Sequence, residues 1–169
     1  KLEDLKGKIQ EEEFISTITL PCDWYFPDEY IRDTREKMEF YKAFSSAQTL
    51  DEFHLVSESL FDRFGAAPDL VERMLVYEEI RLIANLLRIE KIELGGSLEN
   101  ERDGVHLIVA ANHRLDMARV TALLTRDKRV SLDKSDVKRI NLDIKREPQI
   151  AFFRELKALL ISLGVPSDR

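Results

Sequence analysis

From residue 14 the chain reads FISTITL, and Phe14, Ser16, Ile18 and Leu20 share one face of an alternating segment. That pattern predicts a strand over 14–20, which Pro21 ends. Pro27 with Asp28 and Glu29 marks a helix start, and Ile31, Thr34, Met38 and Tyr41 supply an inward stripe as far as about Phe44. Thr49 followed by Glu52 forms a capping box, and Leu50, Phe53, Val56, Leu60 and Phe64 continue a second helix at spacings of three and four. Gly65 offers a left-handed residue to end it, and Pro68 with Asp69 starts a third. Over 68–87 the apolar residues cover most of the helical circumference, so this third helix is expected to be central and the most buried.

From residue 89 the period changes to two. Ile92 and Leu94, then Val105, Leu107 and Val109, predict a hairpin with Gly95, Gly96 and Gly104 marking its turn region. Asp116 to Leu124 predicts a short helix and Arg129 to Leu132 a short strand. Ile140, Leu142 and Ile144 alternate with Asn141, Asp143 and Lys145, the pattern of a strand with one wet face. Phe152, Leu156, Leu159 and Leu163 form a closing helix, stopped by Gly164 and Pro166. The expected class is α+β: an N-terminal strand and a cluster of three helices, then a small antiparallel or mixed sheet with a short helix and a C-terminal helix.

At 169 residues, 44% hydrophobic and 34% charged, the chain suffices for one ordinary core. Its charge is uneven: residues 1–64 carry 8 basic and 15 acidic side chains, residues 126–147 carry 8 basic and 5 acidic, and the whole is −6. That balance argues against broad nucleic-acid binding, and the basic strip lacks aromatic residues for stacking on bases. Cys22 is the only cysteine, which excludes an internal disulfide and a cysteine-rich zinc site and fits a reducing, cytoplasmic setting. No apolar run approaches the ~20 residues of a membrane span, and KLEDLKGKIQ has no signal-peptide core. A first residue Lys1 rather than methionine suggests a piece of a larger protein.

Asp51-Glu52-Phe53-His54 spells a DExH string, but it falls in the first turn of a capped amphipathic helix, and GxxxxGK[ST] is absent. His54 and Glu58 lie one helical turn apart, short of the three protein ligands of a catalytic zinc site. Neither His106 nor His113 converges with them, and there is no GxSxG or GxGxxG motif. The residues point to a non-catalytic chain with no cofactor and no metal. A small carboxylate-based hydrolase or metal-dependent enzyme is the alternative, without a constellation to support it. One residue resists structural explanation: Asp62 sits in the last turn of the second helix, where the macrodipole favours a cation such as the neighbouring Arg63. An ion pair with Arg63 or a cap for the next helix is its structural reading.

The runs PDEYIRD...KMEFYK (27–42) and TLDEF...SLFDRFGAAPD (49–69), followed by the long apolar helix and IEKIEL, resemble the C-terminal domain of the bacterial transcription-repair coupling factors. The resemblance covers nearly the whole chain. It implies residues 1–13 as linker from a preceding motor region and 14–169 as a regulatory domain of an ATP-driven DNA translocase that removes stalled RNA polymerase and recruits excision repair. It further implies docking on the UvrB-like N-terminal module of the same polypeptide, hiding the surface that recruits UvrA, with DNA and polymerase contacts elsewhere in the parent. The interface it implies centres on Asp62, poised to meet an arginine, with Ser59, Glu58 and Arg63 beside it. Two positions depart from the family pattern, which often has arginine where Lys37 stands and glutamate where Ser59 stands.

Overall fold

The computed structural model describes residues 13–95, 102–145 and 149–164. In chain order the elements are β1 (Thr17–Thr19), α1 (Thr34–Ser46), α2 (Leu50–Phe64), α3 (Asp69–Leu87), β2 (Ile89–Gly95), β3 (Arg102–Val109), α4 (Met117–Arg126), β4 (Val130–Leu132), β5 (Arg139–Lys145) and α5 (Gln149–Leu163). The five strands form one mixed sheet in the order β1-β2-β3-β5-β4. β1 runs parallel to β2, with Ile18 beside Ile92, and the other pairs are antiparallel. The class is the expected α+β. The sheet is mixed because the chain crosses over through three helices between β1 and β2, which brings β2 back parallel to β1.

α3 stands between two cores. Ile80, Ile83, Ala84 and Leu87 join the buried faces of the strands and Phe153, Leu156 and Leu160 of α5. Val71, Met74, Leu75 and Leu82 face the other way, into a cluster of Phe26, Ile31, Phe40, Phe44, Phe53 and Leu60. A helix apolar around its girth is stable only when both sides are covered, and α5 with the sheet on one side and α1 with α2 on the other supply the cover.

The first helix differs from expectation. Its start at Pro27 is a turn, with Tyr30 N–H and Ile31 N–H donating to the Pro27 carbonyl at 3.0 Å, and the helix proper begins at Thr34. Asp33 caps it, its Oδ1 accepting from Arg35 N–H (2.7 Å) and Glu36 N–H (3.1 Å). This cap fixes a phase in which Phe40 and Phe44 point inward, whereas Met38, assigned to the inner stripe, is 61% exposed and Thr34 is exposed too. The strand expected over 14–20 is shorter, at Thr17–Thr19, because the Ser16 N–H donates to the Asn85 side chain (2.8 Å) instead of a strand. Its predicted inner face holds, since Ser16 and Leu20 are buried.

The second helix matches its signals closely. Glu52 N–H donates to Thr49 Oγ1 (3.0 Å), while the Glu52 carboxylate accepts from Gln48 N–H (2.8 Å), which gives the predicted acid a capping role. Gly65 ends α2 at φ 81, ψ −165. That region is essentially closed to residues with a Cβ, so the glycine is required, although the conformation is extended in ψ and not the left-handed helical one expected. Across β2 and β3, Gly95 pairs with Gly104, and a Cβ at Gly95 would fall 1.8 Å from His106 Nε2. Gly96 and Pro166 lie outside the described residues.

Gly65→Ala is expected to destabilise the fold by about 1–3 kcal/mol through backbone strain alone, read as a lower urea midpoint at unchanged m-value. Cys22 is half-buried, and burial pushes its thiol up from 9.0 to about 11, Asp23 and Glu78 adding to the effect against Arg73. A thiol at that position carries roughly a hundredth of the thiolate of an ordinary cysteine at pH 8. Alkylation of the native chain by iodoacetamide at pH 8 is therefore expected to be slow and to reach the ordinary rate on unfolding in urea.

Candidate functional site

The outer face of α2 is built by the same pattern that buries its inner face. With Phe53, Ser57 and Leu60 turned into the core, positions 51, 55, 58 and 62, spaced four, three and four, share the opposite side. Asp51, Leu55, Glu58 and Asp62 are all exposed there, with Ser59 alongside. Leu55, Glu58, Ser59, Asp62 and Arg63 line one shallow surface depression. The four residues singled out from sequence are thus brought together. Glu58 reaches the depression despite its rotation of about 100° from Ser59, so a carboxylate is present beside the serine.

Neither local explanation of Asp62 holds. Arg63 turns away to Glu36 of α1 (Nη2 to Oε1, 2.6 Å), its guanidinium 5.9 Å from the Phe64 ring centre. α3 begins at Pro68 with no side-chain cap. Among the described residues Asp62 has no hydrogen-bond or ion-pair partner. Asp51, Glu58 and Asp62 leave this face negative, since its one cation is matched by Glu36.

Sequence reasoning missed Leu55, which at 66% exposure is the large apolar residue at the centre of the acidic face. Its signal was present: a leucine off the stripe of 50, 53, 56, 60 and 64 is a leucine without an intrahelical reason to be apolar. An apolar side chain rimmed by charges is the make-up of a contact centre rather than of a catalytic pocket.

The remaining candidates resolve into structure. His54 Nε2 stands 3.6 Å from Glu79 Oε2, which also accepts from Lys157 Nζ at 3.2 Å, tying α2, α3 and α5 together. The His106 ring meets Asn141 Oδ1 at 2.5 Å, and His113 Nδ1 accepts from Leu115 N–H. Among the described residues no three His, Cys, Asp or Glu side chains converge on a metal position, and no helix is long and apolar enough to cross a membrane. In the basic strip, Arg129 pairs with Asp127 (2.7 Å) and with Glu155 of α5. Hydrogen bonds from Ser135 lead those that hold the Asp133 carboxyl down at about 2.

The sequence matches the TRCF domain family over residues 20–120. It is 32% identical over 110 residues to the transcription-repair-coupling factor of Bacillus subtilis, covering 64% of this chain and 9% of the relative. It is 29% identical over 153 residues to that of Myxococcus xanthus, covering 90% and 12%, and 34% identical over 112 residues to that of Escherichia coli, covering 66% and 9%. The chain thus spans about a tenth of the length of these relatives. A crystal structure of the C-terminal domain of a transcription-repair coupling factor superposes with a TM-score of 0.71 at 19% identity, covering 88% of this chain and 91% of that one. The chain belongs to the TRCF domain family and is homologous to the C-terminal region of transcription-repair coupling factors.

Proposed function

We propose that the chain is a non-catalytic, autoinhibitory docking domain of a cytoplasmic ATP-driven DNA translocase that displaces stalled RNA polymerase and recruits excision repair. Residues 1–13 are the linker from the motor, and 14–169 the domain. The outer face of α2 docks on a UvrB-like N-terminal module of the same polypeptide and keeps the UvrA-recruiting surface covered. The observation that carries this reading is Asp62: an exposed carboxylate at the unfavourable end of a helix, without a local partner, beside an exposed leucine. An arginine on the docking module supplies what the helix end lacks, and Leu55 supplies apolar contact area around it.

The competing reading is a small carboxylate-dependent hydrolase. Among the described residues, acids such as Asp33, Glu52, Asp116 and Asp127 serve helix caps and surface pairs, which favours the docking reading over it.

The test is binding in trans of this chain to the N-terminal module of its parent. Asp62→Ala is expected to leave the melting temperature of the chain almost unchanged, as exposed charges do, and to weaken docking by ~2 to 5 kcal/mol, the cost of stripping one partner from a desolvated pair. Ser59→Glu is expected to tighten docking by adding a third carboxylate to the depression, beside Glu58 and Asp62. Unfolding by Asp62→Ala with docking of the folded fraction intact would return the aspartate to a structural role.

A further inference from the structure

β4 closes the sheet on the side away from β1, paired with β5 along one edge and with no described strand along the other. That outer edge can be assigned group by group. Asp143 N–H donates to the Arg129 carbonyl (2.8 Å) and Asp133 N–H to the Arg139 carbonyl (3.0 Å), at the two ends of the β4–β5 ladder. Bonded and non-bonded pairs alternate in an antiparallel ladder, so Ser131 bonds to Asn141, whereas Val130 opposite Leu142 and Leu132 opposite Ile140 are non-bonded pairs. The backbone groups of Val130 and Leu132 therefore point away from β5. Val130 N–H is satisfied by the Asp127 carbonyl at 3.1 Å. The Val130 carbonyl and the N–H and carbonyl of Leu132 have no partner among the described residues, and Leu132 is 46% exposed.

Cations frame this edge. Arg126 ends α4, Lys128 precedes β4, and Lys134 and Lys138 lie in the turn to β5, all exposed. Arg129 is matched by Asp127 and Glu155, and Arg139 approaches Asp133 at 4.0 Å. The side chains of Arg126, Lys128, Lys134 and Lys138 make no ion pair or hydrogen bond among the described residues. Val137, in the same turn, is 86% exposed. From Lys128 to Lys134 is about 20 Å along an extended chain, the length of an ordinary strand. Lysines on an edge keep like edges apart, so a second copy of β4 is repelled, whereas a strand that carries carboxylates is drawn in. Phosphodiester oxygens only accept hydrogen bonds, so a DNA backbone satisfies the Leu132 N–H and neither outward carbonyl. A peptide strand supplies both donors and acceptors.

We propose that β4 receives an extended acidic peptide segment as an added strand, its backbone bonded to Val130 and Leu132 and its carboxylates set against Lys128, Lys134 and Lys138. Main-chain bonds hold such a segment, and the flanking side chains select its sequence. Here the selection is for acids toward the ends, where the lysines stand, and for an apolar residue beside Leu132. The charge attraction also speeds encounter and weakens with salt. The site is separate from the α2 face, because α2 packs on α1 and α3 while β4 packs on β5 and α4. It does not depend on docking through Asp62.

The experiment pairs fluorescence anisotropy of the 169-residue chain and a labelled Glu-Val-Glu-Val-Glu-Val peptide with amide hydrogen exchange followed by NMR. A short DNA duplex serves as competitor. Saturable binding is expected, weakened at least about tenfold when Lys134→Glu and Lys138→Glu are combined. Both lysines are exposed turn residues, so the variant keeps its fold. In the free chain the Leu132 amide is expected to exchange faster than that of Ser131, and saturating peptide is expected to slow it at least about tenfold. Attraction of charges without strand addition would leave that amide unchanged. Absence of saturable binding, affinity indifferent to the charge reversal, or a Leu132 amide unaffected by bound peptide would each overturn the proposal. So would displacement of the label by duplex at lower concentration than by unlabelled peptide, or Leu132 protection that grows with the concentration of the chain alone, the mark of a second copy on this edge.

Discussion

The structure depends on the burial of α3 from both sides. A single-sided amphipathic helix organises one core, but α3 gives Ile80, Ile83 and Leu87 to the sheet and α5, and Val71, Met74 and Leu82 to the aromatic cluster under α1 and α2. Each fully buried aliphatic side chain contributes roughly 1.5–3 kcal/mol, so neither half of the molecule is independent of this shared wall. Parallel pairing of β1 with β2 follows from the same arrangement, because the chain crosses over through α1, α2 and α3 before it rejoins the sheet.

The surface properties of α2 follow from that wall. Once Phe53 and Leu60 are committed inward, and the capping box at Thr49 and Gly65 at the far end fix both termini, the helix has no rotational freedom left. Asp51, Leu55, Glu58 and Asp62 are then held outward as a rigid set. Rigid presentation matters for docking, because ordering side chains at an interface costs about 0.5–1.5 kcal/mol apiece when they are not already held. The Arg63 to Glu36 pair adds a tie from this helix to α1 and keeps the arginine from neutralising its neighbour.

Most of the fold was legible in the chain because its signals were local. The capping box at 49–52, the alternation of Ile140, Leu142 and Ile144, and the all-round apolarity of 69–87 each state an element and a buried face, and each is found as stated. The first helix was misread for a physical reason. Pro27 with two acids makes as good a turn as a helix start, and only the Asp33 cap sets the phase that turns Phe40 inward and Met38 outward. The grouping of Glu58, Ser59, Asp62 and Arg63 was readable because one helix carries all four. The left-handed turn that ends α3 at Arg88 was not, since no glycine announces it.

In the proposed docking, α2 holds Leu55 outward for another module of the same protein. Hydroxyl-radical footprinting reads that side chain directly, in this chain alone and in its full-length parent, with Leu60 of the same helix, fully buried here, as the internal reference. Leu55 is expected to be oxidised readily in the isolated chain and protected severalfold in the parent, while Leu60 stays unreactive in both. Equal oxidation of Leu55 in the two samples would contradict it.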